Sequence, residues 1–217
     1  MTAQPLSREP LVGRFVRLAP MQRADLPELF AAIGRPEVFA GGYGGGPAGY
    51  RDTADGFAAF AERYYLWDNA GISYVVRRIE DGAVVGTSTL GDVDLANEAI
   101  HLGWTAYAPE VWGTVVNPET KLLMLGHAFA SGFGRVKLQA DVLNERSRAA
   151  ILKLGATFEG ISRRDKRRAD GSWRDSAVHS ILVDEWPEVR ERLERRVASF
   201  APAASRLSDE RSDEGRG

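Results

Sequence analysis

The sequence predicts a single α+β domain built on a mixed, mostly antiparallel twisted sheet of about seven strands flanked by helices. Three observations predict it. Hydrophobic periodicity switches along the chain in the order β-α-α-β-β-β-α-β-α-β-β-α. Two pairs of strand-like runs are joined at Asp81-Gly82 and Asp170-Gly171, turn chemistry that closes antiparallel hairpins. Between the hairpins lies a β-α-β-α stretch, which requires a right-handed crossover and a locally parallel strand pair.

The elements follow in order. RFVRLAPM (residues 14–21) alternates as a strand, and ADLPELFAAI reads as a short helix with Asp25 as cap and Pro27 in its first turn. Residues 40–51 form a loop whose glycines argue against regular structure, and residues 53–67 an amphipathic helix. ISYVVRRIEDGAVVGTSTLGDVD is the first hairpin, and AIHLGWTAY a strand ending before Pro109. Helix NPETKLLMLGHAFASG has Asn117 as expected N-cap and Pro118 at its first position. Strand RVKLQAD, a second helix and the last hairpin follow, and Pro187 opens a final helix running to about residue 200. The domain is expected over residues 11–200, with 1–10 as an N-terminal extension and 201–217 as a disordered tail rich in small and charged residues.

Composition narrows the function. The 217 residues hold 28 basic and 30 acidic side chains, a net charge of −2, which argues against a general binder of nucleic acid or anionic membrane. No apolar run is long enough for a membrane span and the N-terminus has no apolar signal core, so a cytoplasmic location is expected. The absence of cysteine excludes disulfides, thiolate metal sites and a cysteine nucleophile. His101, His127 and His179 lack metal-site spacing, so no metal is expected.

The segment DVLNERSRAAILKLGATFEG (residues 141–160) is the most informative. Asn144, Ser147, Ile151 and Leu154 share one helical stripe, apolar at its C-terminal end and polar at its start. Polar side chains opening a core stripe need a cap or a bound partner.

This stripe, with Asp141, Ala150-Ile151 and Gly155-Ala156, resembles the GNAT superfamily of acyl-CoA-dependent N-acyltransferases. The Asp141-x-x-Asn144-x-x-Ser147 spacing is most similar to the branch containing ribosomal-protein N-terminal acetyltransferases, and GWTAY followed by a Trp-Gly loop and a helix is a second match. The resemblance covers residues 11–186. It implies acetyl-CoA as co-substrate and direct attack by an amine, with no acyl-enzyme. It further implies that Trp112, Gly113, Thr114, Val115, Val116 and Asn117 hold the pyrophosphate, with Lys121 as a charge partner. The backbone of Ala106, Tyr107 and Ala108 would receive the pantetheine arm and help hold the oxyanion. Two departures stand out. Val115 and Asn117 occupy places where glycine and a small residue are usual, and Ile151 replaces the tyrosine many members use as an acid.

The chemistry needs a base for the amine and a proton for the thiol. His101 is the candidate base, a place where related sequences commonly carry glutamate; a satisfied structural histidine is the alternative. Alternation puts His101 with Ala99, Gly103 and Thr105 on one strand face, and Trp104 on the other. Ser147 is the candidate proton donor, against a capping or back-bonding serine. Asn144 is a cap, with or without a contact to the cofactor. Asp92 and Asp94, with Glu98, form an acidic cluster suited to a cationic acceptor or to a solvated turn, and His179 is placed on the acceptor side or simply in the sheet. Glu119 is expected to satisfy the dipole of its own helix. A protein N-terminus and a small-molecule amine both remain open as acceptors, as does a homodimer. The alternative function is a non-catalytic acyl-CoA-binding module on the same fold.

Overall fold

Both Asp-Gly turns close hairpins, because glycine meets no Cβ penalty in the left-handed region: Gly82 has φ 74° and Gly171 φ 84°. The computed structural model describes residues 3–67 and 71–200; the expected disordered tail lies outside them. Eight strands form one sheet in the order β1-β2-β3-β4-β5-β6-β8-β7. They are β1 (Leu11–Val12), β2 (Val16–Pro20), β3 (Ile72–Arg78), β4 (Val84–Asp94), β5 (Ala99–Tyr107), β6 (Arg135–Asp141), β7 (Thr157–Arg167) and β8 (Trp173–Leu182). All neighbours are antiparallel except β5 and β6, which form the expected parallel pair. The additional strand is β1, whose two residues pair through backbone and carry no readable period.

Among the described residues six α-helices accompany the sheet: α1 (Leu26–Ile33), α2 (Pro36–Ala40), α3 (Ala54–Tyr64), α4 (Val116–Ala130), α5 (Glu145–Leu154) and α6 (Trp186–Ala198). Thr53 caps α3 by accepting from the Gly56 N–H at 3.1 Å, and α3 stops at Tyr64 rather than running to residue 67. The five-residue α2 is too short to show a helical period and is absent from the sequence reading. The glycine-rich segment is also more ordered than its composition suggests. It holds two short 3₁₀ turns, Tyr43–Gly45 and Pro47–Gly49, packed on a cluster of Phe39, Tyr43, Phe60 and Tyr64.

The core runs along the sheet, with Tyr74, Leu90, Ile100, Met124 and Phe133 fully buried. The N-terminal extension joins it: Ala3 is buried and the Gln4 N–H donates to Ser131 at 2.8 Å. Among the described residues, no helix is long and apolar enough to cross a membrane.

The feature that matters for function is a parting of strands. β5 and β6 pair only from Ala99 to His101, against Arg135 to Lys137. Beyond His101 no described strand covers that edge of β5, while Ala106 and Tyr107 stay paired with Thr87 and Gly86 of β4. The start of α4 and the start of α5 both face the resulting cleft.

Candidate active site

Two adjoining cavities occupy the cleft, one of about 880 Å³ and one of about 310 Å³. Gly103, Trp104 and Arg174 belong to the walls of both. The smaller runs between β5 and α5, past Ala106, Gly113, Asn117, Ser147 and Ile151.

The start of α4 offers anion-binding groups. Among the described residues, the N–H groups of Gly113, Val115 and Asn117 find no partner, and Pro118 has none to offer. Gly113 takes φ 77°, and a Cβ there would meet nothing, so open space lies beside these amides. Val115 sits in the right-handed region at φ −65°, ψ −20°, so its side chain strains nothing; the left-handed position that needs glycine is Gly113. The helix starts at Val116, with Val115 rather than Asn117 at its N-cap, and Pro118 in the first turn rather than at its first position. Thr114 donates to the Val111 carbonyl at 2.8 Å and Trp112 to that of Tyr107 at 2.9 Å, fixing the loop. From α5, the Arg146 guanidinium lies 3.9 Å over the Trp112 ring, adding a cation to this end of the cleft.

His101 is buried in the wall of the larger cavity. Its Nδ1 lies 3.0 Å from Asp92 Oδ2, so the carboxylate accepts from Nδ1–H and Nε2 keeps its lone pair. Nε2 makes no hydrogen bond. Burial pulls the imidazole pKa below its usual value, against the opposing effect of Asp92, and so favours the neutral ring. The hydrogen bond from His101 holds Asp92 well below the ordinary carboxylate range, with Lys137 at 3.2 Å assisting.

Two β-bulges assemble this pair. In β4 the register shifts after Gly91, and Asp92 takes φ 48°, turning its carboxylate toward His101. In β5 the shift falls between Gly103 and Ala106, where Trp104 also takes φ 48°. That bulge corrects the simple alternation: the Trp104 ring packs 4.7 Å from the His101 ring, and Thr105 turns instead toward Lys121. A bulky residue at positive φ is uncommon and marks a segment held by its surroundings.

Residues 16–157 match the acetyltransferase (GNAT) domain family. The chain belongs to the GNAT acetyltransferases. A T. thermophilus structure described as an acetyltransferase is 33% identical, with a TM-score of 0.77 over 90% of this chain and 99% of that one. A GCN5-related N-acetyltransferase from Brucella melitensis is 26% identical, with a TM-score of 0.81 over 93% and 89%. The ribosomal-protein-S5-alanine acetyltransferase of Vibrio fischeri, 16% identical with a TM-score of 0.62 over 82% and 98%, shares the fold. No curated protein matches. GNAT acetyltransferases use acetyl-CoA as co-substrate, so the cleft is the place to seek it.

The remaining predicted residues of this GNAT domain divide into those in the cleft and those outside it. Asn144 caps α5, its Oδ1 accepting from the Ser147 N–H at 2.9 Å, while its Nδ2 donates to the Gly41 carbonyl. Ser147 lines the smaller cavity, and its hydroxyl has no partner among the described residues, so half of the polar stripe is satisfied internally and half faces the cleft. Lys121 lines the smaller cavity together with Gly113 and Asn117, but its ammonium is engaged by side chains of the sheet. It is buried beneath the β5 bulge, donating to Ser88 at 2.9 Å and Thr105 at 2.7 Å, and burial lowers its pKa to about 7. Glu119 does not serve its own helix: its carboxylate accepts the N–H groups of Arg14, Phe15 and Val16 at 2.7–2.8 Å. Asp94 caps a turn through Asn97 and lines neither cavity. His179 is buried in β8 against Phe158, also outside both linings. Sequence reasoning missed Trp104, Arg146 and Arg174 as residues of the cleft.

Proposed function

We propose that this GNAT domain transfers the acetyl group of acetyl-CoA to a primary amine by direct attack, with His101 as general base. The observation that carries it is the Asp92–His101 pair, set by two bulges so that His101 lines the larger of the two cavities in the cleft. Acetyl-CoA supplies the thioester that is broken and departs as the thiol. The Gly113, Val115 and Asn117 amides, with Arg146, hold its phosphates, and the uncovered edge of β5 from Gly103 onward receives the pantetheine arm. These residues fit the group, because the amides are unpaired and open space lies beside Gly113.

His101 Nε2 takes the ammonium proton through a water, since the atom itself is covered while its ring lines the cavity. Asp92 fixes the tautomer and steadies the imidazolium. Ser147, whose hydroxyl is free in the cavity wall, returns a proton to the leaving sulfur. Thiol release from acetyl-CoA over a panel of amines and peptides tests the reading. Amine-dependent release by wild type that is lost in His101→Ala, at unchanged CoA affinity, is expected. Tight CoA binding with no turnover on any acceptor overturns catalysis, and no CoA binding overturns the reading altogether.

A further inference from the structure

Lys166 and Arg174 stand directly opposite each other in the β7–β8 ladder. Like charges at paired sheet positions destabilise a hairpin. This pairing is also built by an irregular backbone. β7 shifts register between Ser162 and Lys166, and within the shift Arg164 takes φ 51°. Both side chains line the larger cavity, and Arg174 reaches the smaller one as well.

Neither cation has a close ion pair among the described residues, although Asp92 and Asp165 attract Lys166, and Asp141 and Asp165 attract Arg174, from farther away. Among the described residues the Arg174 guanidinium has no hydrogen bond or ion pair, and its Nε is buried without a partner. The nearby carboxylates are committed elsewhere. Asp141 takes both Nε and a terminal nitrogen of Arg168, at 2.8 and 3.0 Å, and Asp165 accepts from Ser176 at 2.7 Å. The Lys166 ammonium lies 5.4 Å over the Trp104 ring, whose neighbour is His101. Arg174, Lys166, Trp104 and His101 thus follow one another along one wall. Glu37 and Glu145 line the same cavity, which therefore presents both signs of charge.

We infer that the acceptor carries an anionic group near its amine, a carboxylate or a phosphate monoester, and that Arg174 and Lys166 hold this group while the amine faces His101. The inference rests on the acetyl-transfer reading and names its substrate class. The arginine fork matches either anion through paired hydrogen bonds, and the lysine adds a point charge. An anion between them answers the repulsion that the ladder carries.

Two measurements test it. Wild type, Arg174→Gln and Lys166→Gln are melted with saturating CoA, in phosphate or acetate against chloride at equal ionic strength. CoA fills its own phosphate site, so the added anion reports on the second one. A rise of about 2–5 °C in the wild-type midpoint is expected, and its loss in both variants. In chloride alone Lys166→Gln is expected to melt higher than wild type, because the repulsion is gone. An equal anion response in all three proteins overturns the inference, whereas a wild-type midpoint that CoA does not move overturns the acetyl-transfer reading instead. The second measurement is thiol release with matched acceptors: amino acids against their C-terminal amides, and O-phosphoethanolamine against ethanolamine. At least a roughly tenfold preference in kcat/KM for one anionic class is expected, which also tells carboxylate from phosphate. Arg174→Lys should keep part of the preference and Arg174→Gln none. Preference for the neutral partners, or one that survives Arg174→Gln, overturns the inference; where no acceptor turns over, the melting result decides.

Discussion

Asp92 Oδ2 lies 3.0 Å from His101 Nδ1, and each residue needs the other: the bulged carboxylate sets the tautomer, and the imidazole holds the carboxylate ionised. His101→Ala should lower turnover roughly a hundred- to ten-thousand-fold while leaving CoA affinity unchanged. Asp92→Asn should do less to the rate but more to its pH dependence. Burial lowers the His101 pKa and Asp92 opposes that, so removing the negative charge lowers it further. Activity is lost as pH falls and the base protonates, so the acidic limb of kcat/KM should move to lower pH in Asp92→Asn. A limb that stays in place, or moves up, would remove His101 as its source.

Ser147 and Asn144 separate cleanly by experiment. The α5 cap uses the Ser147 backbone N–H and not its hydroxyl. Ser147→Ala should therefore leave stability within about 0.5 kcal/mol of wild type and slow product formation at saturating substrate about tenfold. Asn144→Ala loses both the cap and the tie to Gly41, and should cost about 1–2 kcal/mol in urea unfolding. A Ser147→Ala enzyme that is unstable but fully active per folded molecule would assign the serine to structure alone.

The fold was legible because its signals are periodic or local. The two Asp-Gly corners, the β-α-β-α stretch and the Asn144 cap each follow from residue types at fixed offsets. The site was legible only in part, because bulges break the period on which the reading depends. One extra residue at Trp104 moved its ring to the His101 face and sent Thr105 to Lys121. Lys121 was expected as a charge partner for the pyrophosphate, and Glu119 as satisfying the dipole of its own helix. Their burial depends on which strands lie beneath α4, a tertiary fact that no local pattern encodes. Arg174 and Lys166 are brought together only by the β7–β8 register, which places them opposite each other.

Lys121 should make stability depend on pH. Its pKa is about 7 when folded and near 10.5 when exposed. Between those values the unfolded chain holds a proton that the folded protein does not, so stability rises with pH across that window, by at most ~1.4 kcal/mol per pH unit for one group. Lys121→Met should flatten this slope, and below about pH 7 should raise stability by ~1–4 kcal/mol, because no charge is then buried. Ser88 and Thr105 keep each other as partners at 2.7 Å. Urea unfolding at about pH 6.5 and about pH 9.5 measures it. An unchanged slope in the variant would assign the pH dependence to other groups.

Glu119 holds the start of α4 to the turn that leads into β2. One buried carboxylate accepts three backbone N–H groups, from Arg14, Phe15 and Val16, and an ionised acceptor makes each of these bonds stronger than a neutral one would. Glu119→Gln puts an NH₂ where an acceptor stood, so one or more donors must face a donor. The expected cost is ~2–4 kcal/mol, a fall of about 2–4 °C in Tm for each kcal/mol lost. Gly13 is tied to the same feature, since a Cβ there would lie 2.6 Å from the Glu119 carboxyl carbon. Gly13→Ala should therefore displace the carboxylate and destabilise by a similar mechanism. The double variant should cost clearly less than the two single costs added, because the second change removes an interaction already lost. Additive costs would show that Gly13 is needed for its own backbone, and that Glu119 holds the turn without it.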